Sequence, residues 1–244
     1  MNDKKFCFII CTNNELMLNE CLHYLDHLIV PKDYEIDLLT IQDASSITQG
    51  YTSAQQASDA KYKIYMHQDV FILNRNILQD LLDIFKADSQ IGLIGMVGYE
   101  NISPDGIMWH GTRKGDIYCR KPTTPYPSLS EYHYSLKNDK YSYVVEIDGL
   151  FMATCQDLPW DTEVLTGWDF YDAFQSINYL LHDYKIVVPN QTHPWCLHDD
   201  GVVLNMFNYN KYREIFMEKY HSLLGKRYLD FSQYNCQIPG ESSC

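Results

Sequence analysis

The sequence is short of cations and has no long apolar run, and each shortage narrows what it can do. Nineteen Lys and Arg stand against 32 Asp and Glu, a formal net charge of −13 over 244 residues. Duplex nucleic acid and anionic membranes are held mainly by Lys and Arg on phosphate, so a surface this acidic excludes both as general partners. No uninterrupted apolar stretch approaches the roughly 18 residues of a membrane span, and no integral membrane segment is expected. The apolar run in MNDKKFCFIIC is too brief for a secretory core and lacks a small-residue cleavage site, so no leader is expected. A CxxC pair, a GxxxxGKS/T phosphate loop, a GxSxG elbow and an HExxH helix are all missing. Their absence sets aside zinc-knuckle, nucleotidase, hydrolase and metalloprotease chemistry. Any phosphate-bearing ligand would need local help from backbone amides, a helix N-terminus or a divalent cation.

With 45% hydrophobic and 21% charged residues, the composition suits a chain that buries a substantial core as one domain over residues 1–244. Several of the eight cysteines fall inside apolar patterns, Cys7, Cys11 and Cys21 among them. Such thiols behave as small buried hydrophobes, and they point to a reducing, cytoplasmic setting.

FCFIIC (6–11) reads as an interior strand, followed by a helix over LMLNECLHYLDHLI that Asn13 or Asn14 can cap. EIDLLTI (35–41) and YKIYM (62–66) read as further strands around a helix at 48–59. NRNILQDLLDIFKA is a third helix and IGLIGMVGY (91–99) a fourth strand. This alternation predicts an α/β domain with a mainly parallel sheet and a functional edge at the strands' carboxyl ends. Residues 100–143, rich in Gly, Pro and Tyr, read as an excursion from the sheet. Strand character resumes at 141–154, a helical pattern covers 165–181, KIVVP (185–189) is a last strand, and a helix is expected near 203–223.

Polar residues interrupt these patterns at a few places. A predicted buried strand ends in His67-Gln68-Asp69, where a carboxylate can hold a divalent cation or simply cap the next element. HPWCLHDDG places His193, His198, Asp199 and Asp200 beyond the last strand, and imidazole with carboxylate suits manganese better than calcium. GWDFYD sets Asp169 and Asp172 at i,i+3 near a helix start, where one can act as a base or both can cap a solvated turn. Asp43 follows the second strand as a possible base or ribose contact or an Asx-turn, and Asp148-Gly149 sits inside an apolar run, where a carboxylate needs partners. Trp109-His110, next to Arg113 and Lys114, is a cationic, aromatic spot suited to a sugar ring or phosphate, or an ordinary loop.

Taken together, these residues resemble family 2 nucleotide-sugar glycosyltransferases of the GT-A fold, most nearly the small bacterial group that includes the streptomycin-biosynthesis glycosyltransferase-like domain. The resemblance runs from Phe6 to about Gly201. It implies a GT-A (Rossmann-like) α/β fold, a nucleotide-diphosphate sugar donor and Mn²⁺ or Mg²⁺ as cofactor. Thr12, Asn14, Glu15, Asp43, His67 and Gln68 are then nucleotide contacts, and Asp69 and His198 metal ligands. His67-Gln68-Asp69 departs from the Asp-x-Asp of many relatives and keeps only the second carboxylate. Asp169 corresponds to the catalytic base of an inverting transfer, while Trp109, His110, Asp148, Gly149, Trp168 and Asp172 are acceptor or sugar contacts. The excursion at 100–143 and residues 200–244 would shape the acceptor side, the acceptor being a glycan, a lipid-linked glycan or a small molecule. A binding protein of the same fold without transfer activity, a nucleotidyltransferase and an α/β interaction domain are the competing readings; ICTNNE lacks the basic, glycine-rich loop that a nucleotidyltransferase would use.

Overall fold

A computed structural model describes residues 1–121, 128–132, 140–199 and 206–231. Its first half alternates strand and helix: β1 (Asn2–Thr12), α1 (Glu15–Leu25), β2 (Glu35–Gln42), α2 (Ile47–Ala57), β3 (Ala60–His67), β4 (Val70–Ile72), α3 (Ile77–Ala87) and β5 (Ile91–Gly95). Short strands follow, namely β6 (Gly98–Tyr99), β7 (Arg113–Lys114), β8 (Ile117–Lys121), β9 (Ser128–Tyr132), β10 (Tyr141–Val144), β11 (Glu146–Ile147) and β12 (Phe151–Thr154). The described chain ends with α4 (Tyr171–Leu181), β13 (Lys185–Pro189), β14 (Cys196–His198), α5 (Met206–Lys219) and α6 (Tyr228–Phe231).

Seven strands form the main sheet in the order β10-β13-β5-β12-β3-β1-β2. β1 is parallel to both β2 and β3, and β13 to β5, as the strand and helix alternation predicts. β12 runs antiparallel between β3 and β5, and β10 runs antiparallel to β13, so the sheet is mixed. The burial of β1 from Phe6 onward and of most of β3, β5 and β12 explains their apolar runs, whereas β2, at the sheet edge, is partly exposed along its length. Two small sheets, β11-β6-β7 and β4-β14-β8-β9, take β7, β8 and β9 from the excursion and their other strands from the flanking chain.

The helix predicted from Leu165 begins only at Tyr171, because Phe170 sits in the left-handed region at φ 64° and breaks the helical path. The helix expected at 203–223 is described over Met206–Lys219 and is followed by a 3-10 turn at His221–Leu223, while 203–205 lie outside the described residues. Cys7, Cys11, Cys21, Cys155 and Cys196 are buried free thiols, and Cys119 is half-buried. Among the described residues, no helix is long and apolar enough to cross a membrane. Asp200 and residues 201–205 and 232–244 lie outside the described residues, as do 122–127 and 133–139 of the excursion.

Candidate metal and nucleotide site

The carboxyl ends of β1 and β3 meet at a cavity of about 230 Å³ lined by Thr12, His67, Gln68, Asp69 and Trp168, with Tyr51 among its remaining walls. Strand pairing explains how distant residues reach this place. β14 runs antiparallel to β4 with His198 opposite Val70, and the Asp199 amide donates to the Asp69 carbonyl at 2.9 Å. His198 is thereby set beside a carboxylate 129 positions earlier in the chain, with its Nε2 3.5 Å from Asp69 Oδ1. His67 Nδ1 lies 3.8 Å from the same oxygen. One ligand atom from each of the three residues falls within 4.8 Å of the others, a grouping that can hold a metal ion.

Asp69 Oδ1 is buried and has no hydrogen-bond partner among the described residues. An orphaned buried carboxylate oxygen is costly unless something completes its shell, and a divalent cation would do so. Burial alone would push the Asp69 carboxyl up, but His198 and His67 outweigh it and hold it below its ordinary range. Burial and the neighbouring His198 push the His67 imidazole down, which favours the neutral form that ligates metals.

Gln68 and Asn14 organise the entrance from within the protein. Gln68 Oε1 accepts hydrogen bonds from Thr12 Oγ1 (2.7 Å), the Asn13 amide (3.1 Å) and the Asn14 amide (3.0 Å), while its Nε2 donates to Asn13 Oδ1. Asn14 is the N-cap of α1 and accepts from the Leu16 and Met17 amides. Glu15 opens the helix and is exposed, and Asp43, also exposed, follows β2 in the left-handed region at φ 55°. Neither Glu15 nor Asp43 lines the cavity.

A second group of residues packs behind His67. The Tyr171 hydroxyl hydrogen-bonds to His67 Nε2, and it lies 2.1 Å from where a Cβ on Gly149 would stand. The glycine in the apolar run is thus required by a tyrosine from α4. Asp172 accepts from the Gly149 amide at 2.9 Å, and Asp148 accepts from the Leu150 amide. Burial, reinforced by the nearby Asp148 charge, pushes the Asp172 carboxyl up to about 7. Asp169, half-buried and also raised by burial, sits between Trp168, which is 52% exposed at the cavity, and Phe170. Trp109 packs on Tyr209 (5.0 Å between centroids) and Tyr209 on Phe170 (4.8 Å), so Trp109 joins the far side of the α4 entrance without lining the cavity. His110 is engaged by Asp105, its Nδ1 2.8 Å from the carboxylate.

Sequence reasoning missed Tyr171, Tyr51, Glu146 and Tyr209. Each is an aromatic or acidic residue inside an apolar pattern, where it looks like ordinary core. Only Glu146, two residues before the singled-out Asp148-Gly149 pair, carried a signal of its own, a carboxylate inside an apolar run.

Comparison with known proteins bears on the fold and the family. Among solved structures, the chain is similar to the mannosyltransferase PcManGT from Pyrobaculum calidifontis, in complex with GDP-Man and Mn²⁺. The TM-score is 0.56 at 11% identity, covering 94% of this chain and 67% of that one. It is also similar to residues 1–349 of TarS from S. aureus, with a TM-score of 0.49 at 11% identity over 96% of this chain and 76% of that one. No curated protein matches. The architecture is a GT-A-like α/β fold with a mixed central sheet flanked by helices. Residues 7–220 match the family described as "Glycosyltransferase like family", and with most of its length inside that match the chain belongs to the glycosyltransferase-like family.

Proposed function

We propose that the protein transfers a sugar from a nucleotide-diphosphate donor to an acceptor hydroxyl with inversion at the anomeric carbon. The observation that supports this reading most is the meeting of His67, Asp69 and His198 at a cavity on the carboxyl edge of β1 and β3, in a chain of the glycosyltransferase-like family. Asp69 and His198 would hold Mn²⁺ or Mg²⁺, and the bound cation would supply the positive charge that an acidic chain needs to accept a diphosphate. Thr12, Asn14, His67 and Gln68 are assigned to the nucleotide, and so are Glu15 and Asp43, which do not line the cavity itself. GDP-sugars are the first donors to test, since the mannosyltransferase with this fold binds GDP-Man and Mn²⁺.

Asp169 is the proposed base. It takes the acceptor hydroxyl's proton as that oxygen bonds to the anomeric carbon, while the bond from that carbon to the diphosphate oxygen breaks and the nucleoside diphosphate leaves. Asp172 is the second candidate, favoured by a carboxyl pushed up to about 7 and oriented by the Gly149 amide. The acceptor side is assigned to residues 100–143 and 200–244 of a single domain, with Trp109, His110, Asp148, Gly149 and Trp168 on the sugar side. Affinity with the streptomycin-biosynthesis group rests on the sequence motifs alone.

Donor turnover by Asp169→Asn and Asp172→Asn, each checked for native circular dichroism, tests the assignment. The base variant loses on the order of 10²–10⁴-fold in kcat with donor binding intact. Unchanged turnover in both variants would overturn the assigned chemistry. Donor binding without transfer to any hydroxyl acceptor or to water would favour a binding protein.

A further inference from the structure

We infer that a groove at the outer edge of the main sheet, between β10 and the segment around Arg227, is a second ligand site, built for an anionic saccharide, a sugar ring that carries a phosphate or a carboxylate.

The groove has a volume of about 710 Å³, against about 230 Å³ for the cavity at His67, and Lys140, Tyr141, Ser142, Tyr143, Arg227 and Tyr228 are among its walls. β10 is an edge strand that stands four strands from β3, about 19 Å away at about 4.8 Å per strand. Backbone bonds fix the opposite wall: the Ile102 amide donates to the Lys226 carbonyl at 2.9 Å, and the Tyr228 amide to the Glu100 carbonyl at 3.2 Å. Tyr228 stacks on Tyr143 of β10 with centroids 4.7 Å apart and ring planes 6° apart, which ties the two walls together.

Charge sets the first half of the ligand. Lys140 and Arg227 are exposed, and no ion pair among the described residues engages either. The carboxylates close by are committed elsewhere. Glu100, in the groove wall, pairs with Lys114 at 3.0 Å, Asp88 pairs with Lys185 at 2.7 Å, and Asp230 accepts from the Arg227 amide at 2.8 Å. In a chain of net charge −13 this groove therefore offers an anion a locally positive wall, and the guanidinium fork suits a phosphate or a carboxylate.

The rings set the other half. Tyr143 and Tyr228 cover facing surfaces of each other, and Tyr141 stands edge-on to Tyr143 with centroids 5.6 Å apart and planes at 76°, so the groove offers ring edges and hydroxyls with Ser142 beside them. Such a wall packs against C–H surface and hydrogen-bonds hydroxyls, the two things a sugar ring presents. The groove lies where the segments assigned above to the acceptor side, 100–143 and 200–244, come together, and its ligand is then an anionic sugar of the acceptor. That last link rests on the proposed transfer, whereas binding itself does not.

The test is calorimetry on the full chain in EDTA and without nucleotide, so that no metal-held anion at Asp69 contributes. The probes are glucose 6-phosphate, glucuronate, glucose, inorganic phosphate and a hyaluronan tetrasaccharide, in which glucuronate is part of a chain. Both anionic sugars are expected to bind about tenfold tighter than glucose or phosphate, with an affinity that falls as salt is raised. Lys140→Gln and Arg227→Gln each weaken binding about threefold and together about tenfold, with unchanged melting, because both side chains are exposed and unpaired. A tetrasaccharide bound tighter than glucuronate supports a glycan chain as the source, and one bound no tighter supports a free sugar. Anionic sugars bound no tighter than glucose or phosphate, or an affinity unchanged in the double variant, would overturn the inference. Because no donor is present, that failure leaves sugar transfer to be judged by turnover, and failure of transfer leaves the ligand of the groove standing.

Discussion

Glu146 is 2% exposed, and its Oε2 has no hydrogen-bond partner among the described residues. Burial, with the nearby Asp172 charge, pushes its carboxyl from 4.5 up to about 8. Between those values the folded protein keeps a proton that the unfolded chain has released, so stability falls as pH rises and is fully present only below the unfolded value. The slope from this one group is about 1.4 kcal/mol per pH unit at most. Asp172, raised to about 7, adds to the loss over the lower part of the same window. Glu146→Gln removes the ionisable group while keeping its shape, so unfolding measured by urea from pH 5 to 8 loses much of its slope. A wild-type stability that is flat or rising across this window would refute the account. At this scale the sequence was legible where a polar residue interrupts a run, as at Asp69 and Asp148. It was silent where a residue's role is a contact with a distant partner: nothing local in GWDFYD says that Tyr171 fills the space over Gly149.

The turn between β1 and α1 depends on a residue from another element. Gln68, just past β3, satisfies the Thr12 hydroxyl and the amides of Asn13 and Asn14 through a single carbonyl oxygen. Of these donors the Thr12 hydroxyl is at a closed position, since Thr12 is only 7% exposed, whereas Asn13 and Asn14 are exposed. Gln68→Ala is expected to cost about 1–3 kcal/mol, read as a lower denaturation midpoint with an unchanged denaturant slope. A midpoint equal to wild type would mean that water replaces the side chain freely. Most elements were legible because their periods are strong: the runs at 6–11 and 62–66 lie inside β1 and β3, and Lys185–Pro189 is found as read. The start of α4 was not, because Leu165 and Phe170 continue the apolar pattern while serving as loop residues packed into the core. A left-handed phenylalanine costs about 1–2 kcal/mol, and Phe170 is held there by Tyr209 and Phe216. Nor could periodicity reveal that 141–154 breaks into β10, β11 and β12, since a shift between sheets leaves the apolar run intact.

At the scale of the whole molecule, a net charge of −13 opposes any diphosphate ligand, and the carboxyl edge of the sheet must reverse that locally. Composition announced the conflict but not where it is resolved, because His198 reaches Asp69 only through the pairing of β14 with β4. If the cation bridges protein and ligand, then nucleoside diphosphate and metal must stabilise the fold together and neither should do so fully alone. With both present and the diphosphate at about 100 times its dissociation constant, linkage adds about 2.7 kcal/mol. For a chain of this length that is a rise in Tm of about 5–10 °C. The measurement is a thermal melt with GDP or UDP, with Mn²⁺, with both, and with both plus EDTA. The proposed site requires the largest shift with both ligands and its loss on chelation. It also requires Asp69→Asn to lose the joint shift while the free protein still melts in one cooperative transition, at a temperature lowered by the loss of the charge that faces His67 and His198. Full stabilisation by nucleotide in EDTA would mean that the acidic chain neutralises the diphosphate by backbone amides instead, and the metal-bridged site would have to be given up.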